Sequence, residues 1–313
     1  MSKTVKLFIF LMVTLLAIPA IPAQKKSTKK SVNAVMWERV NIRQRDLFYG
    51  PGGKAMMPNL RKITFIKEEK GGHNKKYRIK DGSGKTWVAK LGREAQSETA
   101  AVRLLWALGY KTEINYLVPT LTIPTKGTFQ NVRLEARPDN IERLDEWQWK
   151  DNPFIGSKEL QGLKIMMVFF NNWDVLDLQN KVIQNGSQHQ YIISDLGATF
   201  GKLGNNNLFM IYRLGRKTNN PQKYMNSSFI DEVENGEIDL AYKGKNRDLF
   251  ENISIEDARW LSNLLSQLSD KQIEDAFRAA NYSGENLEMF KQGVINRIAE
   301  LKFAARGEKL AKK

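Results

Sequence analysis

The chain has 313 residues, 42% of them hydrophobic and 27% charged, with a formal net charge of +15 and no cysteine. That composition excludes a disordered polymer and a multi-span membrane protein, and the lack of Cys excludes disulfides, thiolate metal sites and cysteine nucleophiles. His73 and His189 are the only histidines, so a His-rich metal centre or a Ser/His/Asp triad is poorly supplied and any chemistry falls to Asp, Glu, Asn and Lys.

Met1 to Lys6 carries two lysines and no acid, Leu7 to Ile18 is apolar apart from Thr14, and Pro19-Ala20-Ile21-Pro22-Ala23 follows with small and helix-breaking residues. Residues 1–23 read as a secretory signal, with an apolar run too short for a span of ~20 residues, although Ile21 departs from the usual A-x-A cleavage pattern. The expectation is a mature chain that begins at Gln24, has no transmembrane span, and is periplasmic or extracellular. Loss of Lys3 and Lys6 leaves +13. Lys25, Lys26, Lys29 and Lys30 lie in a Ser/Thr-containing tether over 24–35, and Lys309, Lys312 and Lys313 close the chain. The remaining excess favours an anionic partner or acceptor, whereas no basic recognition helix with interleaved aromatics points to nucleic acid.

Residues 36–138 are strand-rich. Ile63–Ile66, Lys76–Ile79 and Thr86–Lys90 are runs of β-branched and aromatic residues separated by Gly71-Gly72-His73-Asn74 and Asp81-Gly82-Ser83-Gly84, which predicts three antiparallel strands. From Glu94 to Leu108 the period becomes helical. Glu98, Ala101, Val102 and Leu105 share one face, and Gly109 stands at the stop. Short strands are predicted at Asn115–Val118 and Asn131–Ala136, ending at Arg137-Pro138. Residues 139–313 read as mostly helical, with one short strand at Tyr191–Ile193. Leu160, Leu163, Met167 and Phe170 form an apolar face that runs into Asn171-Asn172-Trp173-Asp174. Ser254 with Asp257 and Ser269 with Gln272 are capping-box pairs, and Leu287, Phe290, Val294, Ile298 and Leu301 mark a last helix. Trp147, Trp149 and Trp173 read as core or lobe packing ahead of sugar stacking. Tyr49-Gly50-Pro51-Gly52-Gly53 is a loop of high backbone freedom without an assigned role.

Gly82-Ser83-Gly84-Lys85-Thr86 imitates the end of a phosphate-binding P-loop. Ile79 stands where that pattern requires Gly, and the string joins two strands, so it reads as a hairpin turn. More informative is the ordered series Val88-Ala89-Lys90, Glu98, Asn172-Trp173-Asp174, Asn180 and Asp195-Leu196-Gly197. This order resembles the protein-kinase-like superfamily, nearest its HipA-like and phosphoinositide-kinase-like branch, over about residues 60–200.

The resemblance implies an α+β, two-lobed fold: a small antiparallel N-lobe with one helix, and a mainly helical C-lobe. It implies Mg2+-ATP as the cofactor pair, with Lys90 on the phosphates and paired to Glu98, for which Glu94 is a rival. Asp174 would be the catalytic carboxylate, with Asp177 as an alternative. Asp195 and Asn180 would hold Mg2+, although the family pattern puts Asn five residues after the catalytic Asp, where this chain has Gln179: either the loop has one extra residue and Asn180 is the ligand, or Gln179 is through its amide oxygen, or the site is degraded. Gly71 and Gly72, between Lys70 and Lys75, would cover the phosphates, and backbone near Glu135 and Ala136 would face adenine. The implied activity is transfer of a phosphoryl group to a hydroxyl. The reading from another class is an inactive, kinase-derived module that recognises an anionic envelope component.

Overall fold

A computed structural model of the protein describes residues 33–71, 74–203 and 216–307. The predicted signal and most of the tether lie outside the described residues, as do Gly72 and the three closing lysines. The last residues of the predicted tether are a strand instead. This strand, β1 (Asn33–Val35), pairs in parallel with Gln188–Ile193.

The first sheet contains β2 (Thr64–Glu69), β3 (Lys76–Lys80) and β4 (Thr86–Lys90), then α1 (Glu94–Ala107), then β5 (Asn115–Ile123) and β6 (Gly127–Ala136). Its order is β2-β3-β4-β6-β5 and every neighbouring pair is antiparallel. Side chains alternate across a strand, and the two faces of this sheet differ in kind. Tyr77, Ile79, Trp87, Ala89, Val132 and Leu134 form an apolar core on one face. Arg78, Val88, Lys90, Arg133 and Glu135 occupy the other, where α1 packs. The turn between β3 and β4 is the predicted hairpin, organised by one carboxylate. Asp81 Oδ1 accepts from Ser83 N, Ser83 Oγ and Lys85 N at 2.9, 2.8 and 3.0 Å, and Oδ2 accepts from Asn59 N and Trp87 Nε1, each at 3.0 Å.

The chain leaves β6 through residues 137–140 into β7 (Ile141–Arg143), α2 (Lys158–Phe169), β8 (Asn180–Asn185) and β9 (Gln188–Ile193). These strands form a second sheet of order β1-β9-β8-β7. A short helix α3 (Pro221–Met225), the antiparallel strands β10 (Ile230–Glu234), β11 (Glu237–Leu240) and β12 (Ile253–Ser254), and the helices α4 (Ile255–Leu265), α5 (Asp270–Arg278) and α6 (Gly284–Ala304) complete the fold. Both predicted capping boxes are formed, at the starts of α4 and α5. The helical half thus carries two small sheets that its sequence pattern did not announce.

A large core joins α1, α2 and α4–α6 with Met36, Ile42 and Leu47, so the segment before β2 packs largely on the helical half. Trp147 and Trp149 are buried edge to face with ring centres 4.9 Å apart, which is structural packing. The Tyr49–Gly53 loop also has a structural role. At Gly50 (φ +65°) a Cβ would sit 2.4 Å from the buried guanidinium of Arg103, and Gly53 O accepts from Tyr116 Oη at 2.6 Å. No described helix is long and apolar enough to cross a membrane.

Candidate phosphate and metal site

Lys90 ends β4, and its side chain is almost completely buried. Its ammonium lies 2.9 Å from Glu98 Oε2 on α1, 3.0 Å from Asp195 Oδ1 just beyond β9, and 3.4 Å from Glu94 Oε2. Three elements therefore converge on one nitrogen. Burial alone would lower the lysine's pKa, but Glu98 and Asp195 outweigh it and the net shift is upward, which keeps Lys90 charged. Burial pushes the Asp195 carboxyl up, but Lys90 and the Gly197 N–H pull it further down, to below its ordinary value. Of the two predicted partners for Lys90, Glu98 makes the shorter contact and Glu94 the longer.

Glu98 is itself shared. Its second oxygen, Oε1, lies 3.0 Å from Arg133 Nη2 on β6, and Arg133 continues to Glu135 at 2.9 Å and Glu113 at 3.4 Å. Arg143 reaches Glu113 at 2.5 Å and Glu135 at 3.4 Å, and Arg137 also pairs with Glu135. Buried charges persist only when they are compensated, and here the compensation runs from Lys90 to the crossing between the lobes. Burial and the neighbouring Glu135 push the Glu113 carboxyl up to about 8. Burial also works against ionisation of Glu135, but Arg137 and Arg133 overcome it and hold that carboxyl well below the ordinary range.

Asp195-Leu196-Gly197 turns between β9 and the start of α1. Asp195 Oδ1 accepts from both Lys90 and Gly197 N, the latter at 3.1 Å, and among the described residues nothing bonds Oδ2. Gly197 is required by proximity: a Cβ there would lie 2.7 Å from Cβ of Glu94. The following loop is anchored at Phe200, a bulky residue at φ +54°. Its N–H donates to Phe170 O at 2.7 Å, and its ring packs against Phe170, Tyr224, Phe277 and Phe290. Such a backbone angle persists only where surrounding structure enforces it. The Phe170–Asp174 loop runs alongside, with Trp173 N donating to Ala198 O at 3.3 Å.

Asp174 has both oxygens engaged. Gln179 Nε2 donates to Oδ2 at 2.7 Å and Lys245 Nζ lies 2.6 Å from Oδ1. Gln179 O in turn accepts from Ser194 N and Oγ at 2.8 and 3.0 Å, immediately before Asp195, so Asp174, Gln179, Asp195 and Lys90 form one connected group. Asn180 is placed differently. It is the first residue of β8, one step out of phase with Gln179, and its Nδ2 donates to Trp147 O at 2.9 Å inside the fold. The metal role expected of Asn180 meets this placement: its Nδ2 is taken by Trp147 O, its Oδ1 is buried without a hydrogen bond among the described residues, and Gln179, the last residue of a short 3-10 turn (Asp177–Gln179), is the one that meets Asp174. Asp177 is also turned away, its Oδ1 accepting from Trp149 N at 2.9 Å.

Gly71 (φ +99°) has open space around it in the β2–β3 loop, and Asn74 of that loop bonds Glu94 beside Lys90. The loop therefore reaches the site through Asn74. The adenine-facing role expected at Glu135 and Ala136 meets a different arrangement. The Glu135 carboxylate is buried among arginines, and Ala136 N–H donates to Ile114 O at 2.9 Å. Sequence reasoning missed Arg133 and Lys245. Arg133 alternates with apolar neighbours like a solvent-facing strand residue, and Lys245 comes from a loop 71 residues beyond Asp174.

No cluster of three acidic or histidine side chains suited to holding a metal by protein ligands alone occurs among the described residues. Mg2+ bound with a nucleotide needs only one or two protein oxygens, the phosphates and water supplying the rest. The free Oδ2 of Asp195 and the amide oxygen of Gln179 fit that need.

No protein-family model and no curated protein matches the chain. Among solved structures, the crystal structure of a Helicobacter pylori proinflammatory kinase, CtkA, is similar over 81% of this chain and 99% of that one, with 12% identity and a TM-score of 0.49. The molecule's own order is kinase-like in two lobes: three antiparallel strands ending in a lysine, a helix bearing its glutamate, two further strands, a crossing, and a helical half that returns an Asp-x-Gly turn to the lysine.

Proposed function

We propose that the protein is an ATP-dependent phosphotransferase that moves the γ-phosphoryl group onto an acceptor hydroxyl. The observation that carries this reading is the single ammonium of Lys90 bonded at once to Glu98 and Asp195, which lies 105 residues further along the chain. A lysine surrounded by acids is held charged and aimed, ready to exchange an acid for a phosphate oxygen. In the transfer, Asp174 accepts the acceptor's proton as the new oxygen–phosphorus bond forms and the bond to the β-phosphate oxygen breaks, releasing ADP. Asp195 and Gln179 would hold Mg2+, which supplies charge neutralisation on the phosphates when bound. Glu98 keeps Lys90 in place, and Lys245 balances the charge of Asp174.

Melting curves test this. Mg-ATP at ~100 times its dissociation constant is expected to add about 2.7 kcal/mol of stability. Lys90→Ala and Asp195→Ala, confirmed as folded by circular dichroism, should lose the shift. Asp174→Asn should keep it but stop label transfer from γ-labelled nucleotide. No shift in folded wild type would refute the reading.

One observation favours the non-catalytic alternative, a kinase-derived module for an anionic envelope component: Lys245 and Gln179 occupy both oxygens of Asp174. Under that alternative wild type binds Mg-ATP and labels no acceptor in any cell fraction. Export belongs to the same proposal and rests on the Met1–Ala23 pattern. N-terminal sequencing should find Gln24 first, and a retained Met1 would refute cleavage.

A further inference from the structure

The backbone groups that could read a nucleotide base are bonded within the protein, whereas the phosphate end offers an unbonded oxygen of Asp195 and two ammonium groups, Lys90 and Lys245, whose acid partners a phosphate oxygen can replace. In the crossing between the lobes, Ala136 N–H donates to Ile114 O at 2.9 Å and Arg137 N–H to Thr86 O at 2.8 Å. Residue 138 is proline, which has no N–H. Two of the acceptors are engaged as well: Ala136 O takes Arg137 Nη1 at 3.1 Å, and Pro138 O takes Ile141 N at 3.2 Å. Asp139 and Asn140 sit exposed at the tip of the turn which that last bond closes.

The side chains on the cleft-facing row do not replace this backbone. Across β3, β4 and β6 that row reads Arg78, Val88, Glu135. Arg78 is paired with Glu69 at 2.5 Å, and Glu135 is held by Arg133, Arg137 and Arg143. Val88 offers a base an apolar face without any hydrogen-bonding edge. A site that rejects the wrong partner does so by leaving its own buried polar groups unpaired, and here those groups are paired before any base arrives. At the other end stand Lys90, the free oxygen of Asp195, Gln179 and Lys245.

We infer that the cleft recognises the triphosphate end of its ligand and accepts nucleoside triphosphates without regard to the base. The inference rests on the phosphotransfer reading, deepens it, and can fail separately. The test is a melting titration of the purified protein with Mg2+ and each of ATP, GTP, CTP and UTP. The four dissociation constants are expected to agree within about fivefold. One nucleotide binding more tightly than the others by over about fivefold would overturn the inference while leaving phosphotransfer standing. No shift with any of the four, in folded protein, would instead remove the phosphotransfer reading and the inference with it.

Discussion

Replacing Arg133 with methionine keeps a long side chain in place and removes its charge, and the expected cost is roughly 3 kcal/mol, the low end for breaking a buried ion pair. The low end applies because each carboxylate held by Arg133 keeps another cation. Glu98 keeps Lys90 at 2.9 Å, Glu113 keeps Arg143 at 2.5 Å, and Glu135 keeps Arg137. Lys271 with Asp275, a solvent-facing i,i+4 pair on α5, sets the comparison, since such pairs contribute about 0.5 kcal/mol or less. In urea, with an m-value of about 3 kcal/mol per molar for a body of this size, Arg133→Met should lower the unfolding midpoint by about 1 M. Lys271→Met should barely move it. Adding Glu135→Gln to Arg133→Met should return part of the loss, because one buried negative charge goes with the positive one. A loss in Arg133→Met no larger than in Lys271→Met, at unchanged m, would refute the claim that these charges are dry and mutually compensating.

Asp81→Ala strands the buried indole N–H of Trp87 and four further donors, from Ser83, Lys85 and Asn59, and is expected to cost about 2–3 kcal/mol in thermal unfolding, with Asp81→Asn in between. Gln179→Leu should retain the Mg-ATP melting shift in weakened form and cut label transfer by about tenfold or more, whereas Asn180→Leu should act on stability; the reverse pattern would restore Asn180 to the site. The Asp195 and Asp81 carboxyls lie below their ordinary values in the fold, so their stabilisation is present above the usual carboxylate range and is lost as pH falls through the folded values. Glu113 has the opposite sign: pushed up to about 8, it makes the fold lose stability as pH rises towards that value. Glu113→Gln should flatten the fall of a melting-temperature profile between the ordinary carboxylate range and about pH 8, and an unchanged slope there would contradict the assignment.

Local signals located most of the elements. The Thr86–Lys90 strand has the predicted bounds, α1 ends one residue early at Ala107, and both capping boxes form, because turn residues, caps and helical period act within a few positions. The strands Asn115–Ile123 and Gly127–Ala136 are longer than predicted, since their outer halves are stabilised mainly by pairing with each other. The strand at Asn33–Val35 depends on a partner more than 150 residues away and carries no pattern of its own. At the site, Lys90, Glu98 and Asp195 were legible from order and local structure. Between Gln179 and Asn180 the sequence could not choose, because the short 3-10 turn at Asp177–Gln179 that separates their directions carries no periodic pattern. Arg133 was hidden because alternation with Val132 and Leu134 marks a polar face without saying whether water or a helix covers it.

The double attachment of Glu98 limits how this molecule can be controlled. Rotating α1 outward would part the glutamate from Lys90 and, in the same movement, from the guanidinium of Arg133, leaving its carboxylate without either buried cation. Such a displacement would cost far more than releasing one bridge at a wet surface. The helix is therefore bolted rather than hinged, and any on–off control has to act at the mouth of the cleft, where the Asn74 loop and Lys245 meet solvent.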